Sequence, residues 1–210
     1  MRKIFICDFD ETLVQKDILD FVCSYVGKAE ESNSLIGKFI EGKEDGLSIL
    51  KQRIDLLKGV NLDLIYRLIE SEPYLMKGAK ELFEFLKDEG YVTILCSGNI
   101  VPILNYYKDL LEIDYIVGSS PRIINNVIQG IELSDFNGNN FKSDGCVDII
   151  KKEGIAKENI IAIGDSPSDL GMFELAGTTM AVSPKGSIET QTTYTIDGDL
   201  ELVIDILKKL

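Results

Sequence analysis

The chain has 210 residues, no histidine and a formal net charge of −13 at pH 7. Without histidine, His-activated nucleophiles and His-bound zinc are excluded, so acid–base chemistry must come from carboxylates, Lys, Tyr or Cys. The negative charge argues against a nucleic-acid partner, because such proteins need clustered Lys and Arg to replace counterions. An anionic substrate stays open, since a bound metal ion and a Lys can invert the local field.

The first predicted element is a short apolar strand at residues 3–7, followed at once by Asp8 and Asp10. If the extended backbone continues, residues two apart point the same way, and both acids project from the strand end. Open α/β sheets bind ligands at that end of their strands. Two carboxylates this close repel unless a cation lies between them or one is protonated. The pair therefore predicts a metal site, an acid–base pair, or both.

A helical segment follows, with no strand signal between Val14 and Tyr74. Apolar spacing and Gly or Pro breaks predict four helices, at residues 17–26, 30–41, 47–58 and 62–72. An all-helical stretch between the first strand and the next strand–helix unit predicts an inserted cap over residues 14–74. Residues 1–13 and 75–210 then form an α/β core domain.

From residue 75 onward, predicted helices and strands alternate, which indicates a doubly wound, Rossmann-like parallel sheet. Asn125-Asn126 is a turn signal that predicts a β-hairpin over residues 122–133. The other predicted elements, in chain order, are a helix at 78–89, a strand at 91–96, a helix with Pro102 in its first turn, a strand at 115–117, a loop at 137–140, a helix at 144–152 capped by Ser143, a strand at 159–163, a helix ending at 176, strands at 179–182 and 194–196, and a helix from 199.

Three further polar clusters follow predicted strands or precede predicted helices. Ser97-Gly98-Asn99 comes directly after a strand and offers a hydroxyl and free N–H groups that suit a phosphate. Lys142 stands before a helix. Asp165 ends a strand and Asp169 lies one helical turn later. Taken singly, these clusters are equally typical of turns, helix caps and solvated surface charge.

Taken as a set, these residues resemble a known family. The run Asp8-Phe9-Asp10-Glu11-Thr12-Leu13-Val14 resembles the first motif of the haloacid dehalogenase superfamily of phosphatases. The order that follows, a Ser, then a Lys, then Gly-Asp with an Asp four residues after that Asp, is similar to that superfamily over nearly the whole chain. The resemblance implies a phosphomonoesterase with an aspartyl-phosphate intermediate, acting on a small phosphorylated metabolite.

The resemblance also implies a role for each site residue. Asp8 would be the nucleophile, and Asp10 the general acid and then base. The implied phosphate-binding residues are Ser97, Gly98 and Lys142, and the implied Mg²⁺ ligands are Asp8, Asp165 and the backbone carbonyl of Asp10, with Asp169 in support. Phosphoryl transfer needs these residue types independently of any family, because an anionic nucleophile needs a hard cation to approach an anionic phosphate. Mg²⁺ prefers oxygen ligands.

Within the superfamily, the helical insertion resembles a C1-type cap, and its sequence is similar to the phosphoserine phosphatases. Arg53 falls where that subfamily binds the substrate carboxylate, and Asp17 where it has a substrate-binding Glu. An ion pair of Arg53 with Asp55 or Glu44 on the helix surface is an equal alternative. Gly46 replaces a cap Phe, which predicts a pocket that prefers a substrate larger than phosphoserine.

Three other functions stay open at this stage. Gly-Asp-Ser at 164–166 also resembles the methylthiopentenyl-phosphate phosphatases of methionine salvage. A phosphomutase needs the same pair of acids, and a phospho-receiver module combines similar groups without turnover. Four widely spaced cysteines, Cys7, Cys23, Cys96 and Cys146, fit reduced thiols of a cytoplasmic protein. No apolar run reaches the roughly 18 residues of a membrane span.

Overall fold

The computed structural model describes residues 2–41, 43–136 and 140–210. Six strands form one sheet in the order β3-β2-β1-β6-β7-β8, and every neighbouring pair is parallel. The strands are β1 (Ile4–Asp8), β2 (Val92–Ile100), β3 (Tyr115–Ser119), β4 (Arg122–Ile124), β5 (Val127–Gly130), β6 (Ile160–Gly164), β7 (Thr178–Val182) and β8 (Tyr194–Ile196). Strands β4 and β5 form a separate antiparallel hairpin.

Helices cover both faces of this sheet. They are α1 (Ile18–Tyr25), α2 (Ala29–Ile40), α3 (Gly46–Asp55), α4 (Leu62–Ser71), α5 (Ala79–Asp88), α6 (Val101–Leu110), α7 (Phe141–Glu153), α8 (Leu170–Phe173) and α9 (Glu201–Leu207). The central strand β1 shows why both faces need cover. Ile4 and Ile6 pack with α7 and α8, whereas Phe5 and Cys7 pack with α5, α6 and α9. Strands buried on both faces read as continuous apolar runs. This architecture confirms the predicted doubly wound α/β fold.

Residues 14–74, called here the helical insertion, carry α1 to α4 between β1 and α5. The two ends of the insertion lie side by side, because Gln15 N–H donates to the Tyr74 carbonyl and Met76 N–H donates to the Leu13 carbonyl. The apolar faces of α1, α3 and α4 join the same hydrophobic core as one face of the sheet. The insertion is therefore packed directly against the strand-end edge that the sequence singles out.

The β4–β5 hairpin also contacts the helical insertion. Asn125 and Asn126 both have positive φ, as the predicted turn requires. Backbone hydrogen bonds join Gly59 N–H to the Ile128 carbonyl and Ile128 N–H to the Val60 carbonyl. The loop between α3 and α4 is thus paired with the hairpin as a short antiparallel segment.

Several element bounds differ from the prediction, and three of these differences involve β2, α7 and α8. Strand β2 continues past Cys96 to Ile100, because pairing with β3 resumes after an irregularity. Helix α7 begins at Phe141, so Ser143 lies inside the first turn and its hydroxyl donates to the Asn140 carbonyl instead of capping a helix. Helix α8 ends at Phe173 and not at 176. Most of the loop predicted at 137–140 lies outside the described residues.

Among the described residues, no helix combines the length and the apolar character that crossing a bilayer requires.

Candidate active site

Strand register brings the polar clusters to one point at the carboxyl edge of the sheet. Asp8, the last residue of β1, pairs with Cys96 on β2, so Ser97 follows directly beside it. On the other side Cys7 pairs with Ile163 on β6, which places Gly164 and Asp165 next to Asp8. Three separate stretches of sequence therefore converge on the end of the central strand.

Three buried carboxylates meet there. One oxygen from each of Asp8, Asp165 and Asp169 lies within 4.8 Å of the others. Their exposed fractions are 4%, 5% and 0%. Asp169, predicted as a supporting residue, is thus inside the cluster. Within the described part of the chain, the side chain of Asp10 is not a member of this group.

The turn that follows β6 fixes the position of Asp169 within the cluster. Its Oδ2 accepts the backbone N–H groups of Asp165 at 3.0 Å and Ser166 at 3.1 Å. A Cβ at Gly164 would come within 2.5 Å of the Asp169 carboxyl carbon. Glycine is therefore required at 164, because any side chain would push the Asp169 carboxyl out of place.

Lys142 supplies a buried positive charge to the same cluster. Its Nζ lies 2.7 Å from Asp8 Oδ1 and 2.8 Å from Asp169 Oδ1. The side chain reaches these oxygens from the first turn of α7. That helix approaches the sheet closely at Gly145, where a Cβ would meet a Val117 methyl at 2.5 Å. The structure therefore places Lys142 beside the acids, and its role in holding the phosphoryl oxygens stays a prediction.

Burial and charge shift the ionisation of this cluster. Burial raises the pKa of Asp8 well above its usual range, and the nearby Asp169 carboxylate raises it further. Burial likewise raises the pKa of Asp165. For Lys142, burial lowers the pKa, but Asp169 and Asp8 outweigh it and the net pKa lies well above the usual Lys value. Lys142 therefore stays protonated.

The cluster fits a hard divalent cation. Three carboxylates converge on one point, and the only buried cation that contacts them in the described chain is Lys142. Burial raises the pKa of Asp8 and of Asp165, the Asp169 carboxylate adds to both shifts, and a bound cation would favour the charged carboxylates. Oxygen ligands of this kind suit Mg²⁺ or Ca²⁺ better than softer metals.

Asp10 points to a different set of partners. The backbone turns sharply after Asp10, because the Phe9 carbonyl accepts the N–H groups of Thr12, Leu13 and Val14. The Asp10 carboxyl accepts hydrogen bonds from Ile18 N–H at 2.8 Å and from Ser97 Oγ at 3.2 Å. The Asp10 carboxyl therefore lies at the same strand end as Asp8, as expected for two acids that project from it, but it contacts a different set of residues.

The environment of Asp10 also shifts its ionisation. Burial raises the pKa of Asp10 to about 7, and the neighbouring Asp17 carboxylate contributes in the same direction. Hydrogen bonds from Ile18 and Asn99 oppose the shift. A carboxyl with a pKa near neutrality can exist in either form, which is what proton transfer requires.

Ser97 and Gly98 lie between the two acids. Ser97 is 1% exposed, donates to Asp10 Oδ2 and accepts the Asn99 N–H at 3.0 Å. The Gly98 carbonyl accepts the Ser119 hydroxyl at 2.8 Å, which ties this strand end to β3. Both residues lie at the carboxyl edge of the sheet, as predicted, but within β2 instead of after it.

Arg53 and Asp17 contact each other. Arg53 Nη2 lies 2.6 Å from Asp17 Oδ2, and the Arg53 side chain is only 12% exposed. The alternative pairing of Arg53 with Asp55 or Glu44 is wrong, because Asp55 pairs with Lys51 and Lys58, and Glu44 accepts from Ser48 and Gln52. Asp17 also caps α1, whose first residue, Ile18, donates its N–H to Asp10.

Two groups beside the site were not predicted. Asn99 donates its amide to both oxygens of Asp10 at 3.1 and 3.2 Å. Its position in the Ser97-Gly98-Asn99 run, directly after a predicted strand, is a sequence signal that places Asn99 at the site. Lys185 contacts Asp165 at 3.0 Å and also pairs with Glu11. Lys185 belongs to none of the sequence motifs, so only the tertiary structure shows that it lies beside Asp165.

A doubly wound sheet with carboxylates and a buried Lys at its carboxyl edge defines a hydrolase-type enzyme site. The family model described as haloacid dehalogenase-like hydrolase matches residues 5–174. The chain belongs to this family, which confirms the resemblance and the prediction of a phosphatase-type enzyme.

Curated relatives support the same assignment. The chain is 30% identical over its full length to a phosphoserine phosphatase of Archaeoglobus fulgidus, of which it spans 63%. It is 28% identical to the phosphoserine phosphatase of Methanocaldococcus jannaschii, with 99% of this chain and 98% of that protein covered.

Solved structures are similar throughout the chain. A phosphoserine phosphatase with an analogue of its phospho-aspartyl intermediate matches with a TM-score of 0.86 and 27% identity, covering 98% of both chains. A haloacid dehalogenase family hydrolase of Salmonella enterica matches with a TM-score of 0.88 and 27% identity, covering 96% of this chain and 70% of that one.

Replacing Lys142 with Met tests the charge balance, because Met is similar in length and uncharged. We expect the metal-free Lys142→Met protein to lose about 3–5 kcal/mol of unfolding free energy at pH 7, since Asp8 and Asp169 become a buried carboxylate pair without a cation. A carboxyl whose folded-state pKa is raised costs stability only above its unfolded pKa. The loss therefore shrinks as the pH falls from 7 toward about 5.

Chemical denaturation in EDTA at both pH values measures this difference. Lys77→Met is the matched control, because Lys77 pairs with Asp199 at the surface and is largely exposed. Its loss should change stability little at either pH. A Lys142→Met loss that stays constant or grows as the pH falls would contradict the proposed balance.

Proposed function

We propose that the protein is a Mg²⁺-dependent phosphomonoesterase that hydrolyses phosphoserine through an aspartyl-phosphate on Asp8. The observation that carries this is the position of Asp8, which ends the central strand with Lys142 at 2.7 Å and two further carboxylates around it. An anionic nucleophile, a fixed cation and a metal site are the parts that phosphoryl transfer needs. The reduced state of four buried free cysteines supports a cytoplasmic location.

The first step transfers the phosphoryl group to Asp8. Lys142 holds Oδ1, so the other carboxylate oxygen attacks phosphorus and forms the new P–O bond. The bond from phosphorus to the leaving oxygen breaks, and the proton of the Asp10 carboxyl moves to that oxygen. The products are the free alcohol, the Asp10 carboxylate and the aspartyl-phosphate.

The second step releases inorganic phosphate. Asp10, now a carboxylate, takes a proton from water, and the resulting hydroxide attacks the aspartyl-phosphate. The P–O bond to Asp8 breaks and the Asp8 carboxylate is restored. Its separate hydrogen-bond partners keep Asp10 out of the acid cluster, so it can serve both steps without binding the phosphate itself.

The phosphate oxygens bind between Lys142 and the β2 end. We assign Ser97 Oγ and the Gly98 backbone N–H as further donors, because both lie beside Asp8 across the β1–β2 pairing. Asp8, Asp165 and the Asp10 carbonyl would hold Mg²⁺, supported by Asp169. When bound, Mg²⁺ neutralises charge on the phosphate and lets the anionic nucleophile approach.

The leaving group faces the helical insertion. Asp17 and Arg53 form an ion pair next to Asp10, and their charges complement the ammonium and carboxylate of a phosphorylated amino acid. The named relatives support phosphoserine as the substrate. The preference for a larger substrate, inferred from Gly46, stays a prediction.

Asp8→Asn tests the nucleophile. We expect phosphate release from phosphoserine to fall below detection, because an amide cannot attack phosphorus. The fold should survive, since Asn keeps the shape of Asp, and circular dichroism would check this. Asp109→Asn, on the exposed side of α6, is the matched control and should keep full activity. Substantial turnover by folded Asp8→Asn protein would reject Asp8 as the nucleophile.

Metal exchange tests the cation site. We expect EDTA to abolish activity, Mg²⁺ to restore it and Ca²⁺ to inhibit, because Ca²⁺ accepts more ligands and can capture both oxygens of Asp8. In calorimetry, Asp165→Asn should weaken Mg²⁺ binding at least about tenfold, or 1.4 kcal/mol. Asp10→Asn should bind Mg²⁺ normally, because only its backbone carbonyl is a ligand. Equal activity in Mg²⁺ and Ca²⁺ would count against this site.

Arg53→Ala tests the substrate. We expect kcat/KM for phosphoserine to fall at least about tenfold, and kcat/KM for phosphoethanolamine, which lacks the carboxylate, to fall less than about threefold. Arg67→Ala, on the exposed face of α4, is the matched control and should change neither value. Similar losses on both substrates would show that Arg53 supports the fold of the insertion and does not bind a carboxylate.

A further inference from the structure

Asn99 makes contacts with Asp10 that the catalytic steps alone do not explain. Its side chain is buried, with 1% of the residue exposed. The amide nitrogen donates to Asp10 Oδ1 at 3.1 Å and to Oδ2 at 3.2 Å, and the amide oxygen accepts the Ile100 N–H at 2.8 Å. Because a backbone N–H can only donate, the amide oxygen must face Ile100 and the NH₂ group must face Asp10.

The backbone that carries this amide is also held in place. Ser119 donates its hydroxyl to the Gly98 carbonyl at 2.8 Å, and the Asn99 N–H donates to Ser97 Oγ at 3.0 Å. A Cβ at Gly118 would lie 3.1 Å from the Asn99 carbonyl oxygen, so the β2 and β3 backbones are in close contact there. Contacts on the backbone and at both ends of the side chain therefore fix the direction of the NH₂ group.

Ser97 cannot play the same part throughout the reaction. Its hydroxyl has one proton, which it donates to Asp10 Oδ2 in this structure. When that proton turns to a phosphate oxygen, Asp10 loses one donor. Among the described residues, Asn99 is then the side chain that still donates to the Asp10 carboxyl. The backbone N–H of Ile18 continues to donate to Oδ1, but it makes no bond to Oδ2.

We propose that Asn99 is a positioning residue that orients the Asp10 carboxyl for proton transfer to the leaving oxygen. This inference rests on the acid–base role of Asp10 in the proposed function. In the step concerned, the P–O bond to the leaving group breaks, the bond from Asp8 to phosphorus forms, and the Asp10 proton moves to the leaving oxygen. Asn99 exchanges no proton, and its NH₂ group donates to the Asp10 oxygen that carries none.

A purely structural role for Asn99 makes a different prediction. Satisfying the Ile100 N–H needs only an acceptor, which Asp provides as well as Asn. Asn99→Asp therefore keeps the shape and the local hydrogen bond, and it replaces the donor to Asp10 with a carboxyl oxygen. Asn99→Ala removes the donor without adding a charge, and it serves as the second variant if Asn99→Asp does not fold.

The experiment compares two aryl phosphates in Mg²⁺. Phenolate leaves poorly without a proton, whereas p-nitrophenolate leaves readily. We expect both Asn99 variants to lower kcat/KM for phenyl phosphate at least about tenfold and for p-nitrophenyl phosphate less than about threefold, within the range of general acid catalysis. The KM for phenyl phosphate should stay within about twofold, because orientation of the acid affects the chemical step.

Two reference variants separate the possible failures. Ser119→Ala loosens the same strand end without touching Asp10, so it should lower both rates by the same factor or not at all. Asp10→Asn should show the selective loss in a stronger form. If Asp10→Asn is selective and the Asn99 variants are not, the positioning role is wrong and the proposed function stands. If Asp10→Asn shows no selectivity, the acid role of Asp10 fails, and the inference fails with it.

Discussion

The burial of several carboxylates at one strand end is the constraint on which the rest of the site depends. A buried carboxylate without a partner costs several kcal/mol, so Asp8, Asp165 and Asp169 can share this place only with compensating positive charge. Lys142 provides part of it from the first turn of α7. The remaining negative charge is the physical reason that this cluster suits a divalent cation. The proposed function uses this cluster to bind a cation and an anionic phosphate together, which lowers stability when no metal is bound.

Two acids separated by one residue have different environments because their side chains contact different partners, and the backbone turns directly after Asp10. Asp8 stays with the cluster at the end of β1, while Asp10 turns toward Ser97 and the start of α1. Environments that differ in this way let one carboxylate act as a nucleophile and the other exchange protons. The turn itself depends on the Phe9 carbonyl, which accepts three N–H groups, and on Glu11, which adopts a positive φ of 60°.

The helical insertion divides the site into two sides. The sheet supplies the groups proposed for phosphate and metal, and the insertion supplies Asp17 and Arg53. The insertion shares its hydrophobic core with one face of the sheet, and its α3–α4 loop is paired with the β4–β5 hairpin at Ile128. These contacts set the distance between the Asp17–Arg53 pair and Asp10. The proposed function thus assigns phosphoryl transfer and selection of the leaving group to different parts of the chain.

The sequence by itself determined the alternation of strands and helices, the helical insertion, the hairpin turn, and the placement of Asp8 and Asp165 at strand ends. Apolar periodicity and turn residues are local signals, so they can be read without the fold. Only the tertiary structure decided the direction of Asp10, its contact with Asn99 across 89 residues, the pairing of Arg53 with Asp17, and the place of Lys185 beside Asp165. These depend on strand register and on the backbone turn after Asp10, and side chains so far apart in the chain meet only when both are formed.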